Sequence, residues 1–413
     1  MTAQKNKKVD FFYIGGVLVL ALGIYIYFAL NITFPVIHPK YDASLKILNT
    51  GTANFNWPAH ANAAISFNDL GIYQTHGSTA PEAMASTAKL VTALTVLQKY
   101  PLKLNEQGPT ITITPSDVAI YNFYRTNQGS FVPVVAGEKL TEYQMLEAML
   151  LPSANNIADS LAIWAYGSLG NYFVAANNFA LKADLKSTHL AGDASGYSPS
   201  SVTSPENLIQ LGQLALKNPV LAQIVNLKNV SNFPVVGALK NVDLLLGKDN
   251  IVGIKTGNNN VDNGIFLSAS DIEINKQPLT IYTSIMGETS LWNALSDSQN
   301  LIQSVQSSFN KPVAENSFNK GAVQGNYYLN WNNQRVEAVL QKSLDFKLLD
   351  GTKTTYKVSL NPISFKSTKN EMVGSLTVKN SLLNETQKIN LVLGSTPQKP
   401  PLWWLLLHPL LVF

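Results

Sequence analysis

The apolar positions fall into three regimes along the chain. Residues 11–30, "FFYIGGVLVLALGIYIYFAL", carry no charge, and as a helix rising ~1.5 Å per residue they cover roughly the 30 Å core of a bilayer. This predicts one membrane span, an anchor over 11–34. Lys5, Lys7 and Lys8 precede it and the next positive charge is Lys40. The positive-inside pattern therefore predicts a cytoplasmic tail of residues 1–10 and an extracytoplasmic remainder. A cleaved signal peptide is the competing reading, but its apolar region is long for one and no Ala-x-Ala site follows in "NITFPVIHPK".

Residues 35–55, with Pro35, Pro39 and "NTGTANFN", read as a linker. "AAISFNDLGIYQTHGS" then alternates apolar and polar positions around Asn68 and Asp69, predicting an antiparallel hairpin. "STAKLVTALTVLQKY" is apolar on nearly every side, predicting a buried helix. "TEYQMLEAMLL" opens with a capping box, Thr141 and Gln144, and stops at Pro152; after the turn "SANN" a second helix follows in "IADSLAIWAYGSL". "NIVGIKTG", "GIFLSAS" and "LTIYTSIMG" read as adjacent strands of one sheet. Residues 56–310 are therefore expected to form an α/β domain with an all-α insert.

From about residue 311 to 396 the segments shorten and alternate, among them "GNYYLNW", "RVEAVL" and "EMVGSLTVKN", with a hairpin signal at Asp350 and Gly351. They predict a small all-β sandwich. In the tail, residues 397–413, "LWWLLLHPLLVF" is too short to span a bilayer, and its paired tryptophans predict an interfacial membrane contact, with packing on the β-domain as the alternative.

Composition removes several function classes. There is no cysteine, hence no disulfide framework and no thiolate nucleophile. The five histidines (His38, His60, His76, His189, His408) are dispersed, so no metal site or cofactor is expected. Net charge is +4, yet only Arg125 and Arg335 are arginines, a poor set for reading phosphates; nucleic acid is not expected as a partner.

Candidate chemistry lies in three short motifs. Ser86 and Lys89 stand three apart at the start of the buried helix, on one face of it. Ser153 and Asn155 stand in the turn between two helices, and Lys255, Thr256 and Gly257 lie on a strand. Each short pattern is common by itself: Ser-x-x-Lys recurs at Ser308/Lys311 and Ser317/Lys320, and Ser-x-Asn at Ser66/Asn68 and Ser298/Asn300. The joint order and context are not common. In these residues the chain resembles the serine penicillin-recognising enzymes, and within them the D-alanyl-D-alanine carboxypeptidase family of low-molecular-mass penicillin-binding proteins. "GSFVPVVAGEKLTEYQMLEAMLLPSANNIADSLA", "STHLAGDASGYSP" and "GETSLWNALSDSQNLIQSV" add to the likeness, which covers roughly residues 58–310; the β-rich segment with "GAVQG" and "VGSLTV" is similar to that family's C-terminal domain.

Serine is a weak nucleophile that needs an adjacent base, and with no histidine in any motif the available one is Lys89. A lysine serves only with a depressed pKa, which burial and a second cation, Lys255, would produce. Ser86 at a helix start has its own backbone N–H for a developing oxyanion. The resemblance implies the remaining roles: an antiparallel sheet flanked by helices, a second oxyanion donor in the N–H of Asn258, a proton relay through Ser153, and Asn155 holding Lys89 and the substrate amide. Lys255 and Thr256, with Gly257, would meet the substrate's carboxylate. It further implies peptidoglycan stem peptides ending in D-Ala-D-Ala as substrate and β-lactams as covalent inhibitors. One departure is that residues 287–299 lack the arginine that related carboxypeptidases use for the carboxylate; Arg125 reads as a surface residue. This leaves DD-endopeptidase and β-lactamase as alternatives, although "PENLIQL" at Glu206 does not match the usual Glu-x-x-Leu-Asn element, and a non-catalytic muropeptide-binding module as an alternative of another class.

Overall fold

The computed structural model describes residues 3–31, 36–48, 53–68, 70–258, 264–274, 276–309, 318–344, 353–382 and 385–411. Asp69 and the Asp350–Gly351 signal lie outside them. The chain divides into two units, Thr52–Lys311 and a second made of Met1–Gly51 with Pro312–Phe413.

In the second unit a helix runs over Ala3–Asn31, and its stretch Phe12–Leu30 is long and apolar enough to cross a membrane. Residues 35–55 were expected as a free linker, and the structure corrects this for the described part. Pro39–Lys40 pairs with Val323–Tyr328, Lys46–Ile47 pairs with Thr354–Leu360, and Ile37 bridges Ile363. Edge strands this short need few backbone bonds and tolerate proline, so their sequence looks like a linker.

These two short strands occupy opposite edges of one seven-stranded sheet. Its order is Pro39–Lys40, Val323–Tyr328, Arg335–Leu340, Glu385–Leu393, Met372–Asn380, Thr354–Leu360, Lys46–Ile47. Residues 40–46 can reach at most ~20 Å, whereas seven flat strands would hold the edges ~29 Å apart. The sheet must curl. The expected sandwich thus takes the form of one sheet folded over its own core of Tyr327, Leu329, Val336, Leu376, Leu391 and Leu393. The tail forms a helix, Leu402–Leu411, that divides its faces: Trp404 packs edge-on to Trp331 in this core, with ring centroids 5.3 Å apart, while Leu402, Trp403 and Leu407 stay exposed. The Tyr25 hydroxyl donates to the Leu406 carbonyl (2.5 Å), tying the tail to the N-terminal helix.

The larger unit is built on a five-stranded antiparallel sheet ordered Ile251–Asn258, Gly264–Ile274, Gln277–Glu288, Asn62–Phe67, Ile72–His76. Residues 264–270 are all buried, which explains their continuous apolar and small-residue run: both sheet faces are covered. Side chains alternate faces along a strand, so the bonded hydroxyls identify the covers. Ser268 and Thr283 bond Ser298 of helix Leu291–Ser308, whereas the neighbouring Ser284 donates to the Pro205 carbonyl of helix Pro205–Lys217. The decoy serines thus have structural uses, since Ser298 joins this cluster, Ser66 donates to the Gly71 carbonyl and Ser308 to the Ser304 carbonyl.

In sequence, the helical insert lies between the hairpin strands and the other three strands of this sheet; it is centred on Ala88–Lys99, whose residues 88–97 are all buried. The predicted capping box is present: Thr141 Oγ1 accepts from the Gln144 N–H (3.1 Å) and Gln144 Oε1 from the Thr141 N–H (2.9 Å), starting helix Glu142–Leu150. Glu142 itself is fully buried, and neither carboxylate oxygen has a partner among the described residues. Burial pushes its pKa from 4.5 up to about 7. The folded chain therefore holds this proton more tightly than the unfolded one, a contribution present below pH 4.5 and lost as pH rises through about 7. Glu142→Gln, which cannot ionise, is expected to raise the melting temperature by a few degrees at pH 8, about 1–2 kcal/mol, and to leave it nearly unchanged at pH 5. Thermal melts of the full-length chain in detergent at both pH values check this; equal shifts would refute it.

Candidate active site

Strand Glu82–Ala83 pairs with Val202–Thr203, and the chain then makes a 3-10 turn over Ala85–Thr87 that runs directly into helix Ala88–Lys99. Ala85 has φ +43°, a left-handed conformation that costs a non-glycine residue on the order of 1 kcal/mol. Its neighbours impose it. Gly196, at φ +75°, lies so close that a Cβ there would collide with the Ala85 carbonyl, and a Cβ on Gly257 would stand 3.1 Å from Ala85 Cβ and 3.4 Å from the Ser86 nitrogen. Ser86 is thereby fixed, half-buried, on the turn that precedes the helix.

Three residues on, Lys89 is wholly buried. Its Nζ donates to Ser86 Oγ (2.7 Å), Asn155 Oδ1 (2.7 Å) and the Ser195 carbonyl (3.1 Å), which accounts for all three ammonium hydrogens. Burial first, and Lys255 second, hold its pKa well below the ordinary lysine range, opposed by the attraction of Asp193 and Asp159. A lysine in this state gives up its proton more readily than a solvated one, and the neutral amine can accept a proton from the hydroxyl beside it.

Asn155 reaches Lys89 from the first turn of helix Asn155–Tyr166, and its own N–H donates to the Ser130 carbonyl (2.8 Å). Before it, Ser153 sits in the interhelix turn at φ +64°, a second left-handed non-glycine residue. Lys255 arrives from the edge strand and donates to Ser153 Oγ (2.9 Å) and to the Thr256 carbonyl (3.1 Å). Burial brings Lys255 down to about 7, with Asp243 opposing. Thr256 is buried, and Asn258 is exposed at the strand's end, paired with Gly264. Ser86, Lys89 and Asn155 are thus joined by direct bonds, as are Ser153 and Lys255. Gly257 packs against the Ser86 amide.

Sequence reasoning overlooked the supports of this cluster: Ser195, Asp193, Asp159 and Asp243. "GDASGY" does hold a turn signal, an aspartate two residues before a serine, but nothing in it indicates a lysine behind the loop. Arg125 is exposed with its guanidinium 5.4 Å over the Tyr121 ring, a surface stacking arrangement. In residues 287–299 the charged side chains are Glu288 and Asp297; burial and a hydrogen bond with Asp297 push Glu288 up. Among the described residues no group of three His, Asp or Glu is placed to hold a metal ion.

Comparison with known proteins follows the same segments. The D-alanyl-D-alanine carboxypeptidase family matches residues 59–279, more than half of the chain. A D-alanyl-D-alanine carboxypeptidase from Streptomyces sp. strain K15 is 28% identical over 193 residues, 42% of this chain and 62% of that protein, so the match spans less than two thirds of that relative. Among solved structures, the Streptomyces K15 DD-transpeptidase is similar with a TM-score of 0.53 and 22% identity, covering 60% of this chain and 97% of that one. Penicillin binding protein 5 from Haemophilus influenzae has a TM-score of 0.56 at 15% identity, covering 84% and 99%. The last match takes in much of the β-rich unit as well, and at such identities both speak for the fold alone. With the family matched across the segments that build the Ser86 site, this chain belongs to the D-alanyl-D-alanine carboxypeptidase family.

Proposed function

We propose that the chain is a membrane-anchored serine carboxypeptidase that removes the terminal D-Ala of peptidoglycan stem peptides through an acyl-enzyme on Ser86. The observation that carries this reading is the contact between a fully buried Lys89 Nζ and Ser86 Oγ at 2.7 Å. When Lys89 is neutral, that contact runs from the serine O–H to the amine lone pair. Ser86 Oγ then attacks the carbonyl carbon of the penultimate D-Ala while its proton passes to Lys89. The oxyanion takes hydrogen bonds from the backbone N–H groups of Ser86 and Asn258. As the C–N bond breaks, the leaving amine takes a proton from Ser153 Oγ, which is resupplied by Lys255 across 2.9 Å. Water attacks the resulting ester, its proton passing through Ser153 to the now neutral Lys255, while protonated Lys89 returns its proton to Ser86 Oγ; the shortened peptide leaves and all three side chains regain their starting states.

Lys255, with Thr256, supplies the positive and hydrogen-bonding side for the substrate carboxylate, which has no arginine in residues 287–299 to meet it. The uncharged helix stretch Phe12–Leu30 and the lysines ahead of it support a single-pass anchor with the larger unit outside the cell. β-Lactams, which present a strained amide to the same hydroxyl, are expected to acylate Ser86 and stay bound.

The test uses the full-length chain in detergent with a fluorescent penicillin and diacetyl-Lys-D-Ala-D-Ala. A lasting label with D-Ala release is expected. Ser86→Ala should abolish both, and Lys89→Gln should slow acylation about 10²- to 10⁴-fold. Rapid turnover of the antibiotic would point to a β-lactamase, cleavage of cross-linked peptides without D-Ala release to an endopeptidase, and an unlabelled wild type to a binding module. A pH profile of kcat/KM supplies a second check. Only neutral Lys89 accepts the serine proton, so the rate falls on the acid side; on the alkaline side Lys255 loses its ammonium above about 7 in the empty site, and KM should rise. A flat profile from about pH 5 to 9 would contradict these roles.

A further inference from the structure

Close enough to Lys89 to act on its charge are two buried carboxylates that no step of the reaction uses. Asp193 Oδ1 accepts from the Ser195 N–H (2.8 Å), the Ser195 hydroxyl (2.6 Å) and the Tyr197 N–H (3.0 Å), and its Oδ2 accepts from the Ser198 N–H (2.5 Å). Asp159, on helix Asn155–Tyr166, accepts from the Ala194 N–H at 2.8 Å and from the Tyr124 hydroxyl at 2.7 Å. Between these two anchors the Ala194 carbonyl is held by Thr92 Oγ1 (2.6 Å), one turn beyond Lys89 on the same helix. The only group this loop offers Lys89 by hydrogen bond is the Ser195 carbonyl. Both carboxylates are buried, so their fields act on the lysine through little water.

We propose that Asp193 and Asp159 are positioning residues for Lys89: by gripping the 193–198 loop from both sides they hold the Ser195 carbonyl on Nζ and set the pH at which this lysine becomes a base. The inference rests on the reading of Lys89 as the base for Ser86. Charged and titratable groups around Lys89 act in opposite senses. Lys255, from the edge strand, disfavours the ammonium, whereas Asp159 from the helix and Asp193 from the loop favour it. Tyr124 and Tyr172 are held as neutral phenols by burial, and Asp243 faces Lys255. Asp159, pushed up by burial to about 6, is charged at neutral pH. Removing either carboxylate charge, or loosening the carbonyl that accepts from the ammonium, destabilises protonated Lys89. Both effects lower the pH at which it becomes free to act.

The measurement is the acylation rate with fluorescent penicillin against pH for the full-length wild type, Asp193→Asn and Asp159→Asn, with a thermal melt of each. The acid-side midpoint is expected to move about 0.5–1 unit to lower pH in each variant, with the plateau reduced several-fold by the loosened loop. A residue with only a structural role would lower the melting temperature and the plateau and leave the midpoint in place, and that result would overturn the proposal. Asp193 accepts four bonds; if Asp193→Asn fails to fold, Asp159→Asn, which touches two, decides by the same midpoint. A wild type that is not acylated at any pH overturns the serine mechanism and this inference together, which separates that failure from an unmoved midpoint.

Discussion

A lysine ammonium deprived of water must replace its hydration with fixed acceptors or give up its proton, and this constraint falls on the fully buried Lys89. Isolated burial of such a charge costs several kcal/mol. Here three acceptors and two nearby carboxylates compensate in part, while Lys255 opposes. In the proposed reaction, the remaining deficit is what makes the amine available to Ser86. The larger unit buries Lys89 completely and supplies its hydrogen-bond partners from separate segments.

Rigidity comes from elements that cannot yield separately. The helix Ala88–Lys99 is buried over nearly its whole length, so Lys89 cannot swing out to solvent without dislodging the core. Left-handed backbone at Ala85 and Ser153 shapes the two turns that carry the Ser86 and Ser153 hydroxyls, and each is held by contacts from distant chain: Gly196 and Gly257 on one, Lys255 on the other. Strain of this kind persists only where the surroundings overdetermine it. The edge strand serves twice, bringing Lys255 to Ser153 and laying Gly257, without a side chain, against the Ser86 amide.

Under the proposed reaction, the acidic character of residues 287–299 bears on substrate choice. Related carboxypeptidases place an arginine there, whereas this chain has Glu288 and Asp297. A carboxylate approaching Lys255 therefore meets one buried cation with a depressed pKa and no guanidinium fork, a weaker and more pH-sensitive receptor than a permanent charge.

Local pattern was enough to determine the apolar N-terminal helix, the Thr141 capping box, the hairpin at Asn68 and the buried helix that carries Lys89, because each depends on neighbours within a few residues. The order of the three motifs further distinguished Ser86 from the Ser-x-x-Lys pairs at Ser308 and Ser317, and Ser153 from the Ser-x-Asn pairs at Ser66 and Ser298. Residues 36–48 were misread because an edge strand of two residues has no period to detect. Asp159, Asp193, Asp243 and the Ser195 carbonyl were illegible for another reason. They act across 35 to 106 residues of chain or through a lysine's loss of solvent, and no local sequence pattern records how far a charge lies from water. The sequence alone determined which groups could react; tertiary packing decided their protonation and their distances, since both depend on what closes around Lys89 from four separate segments.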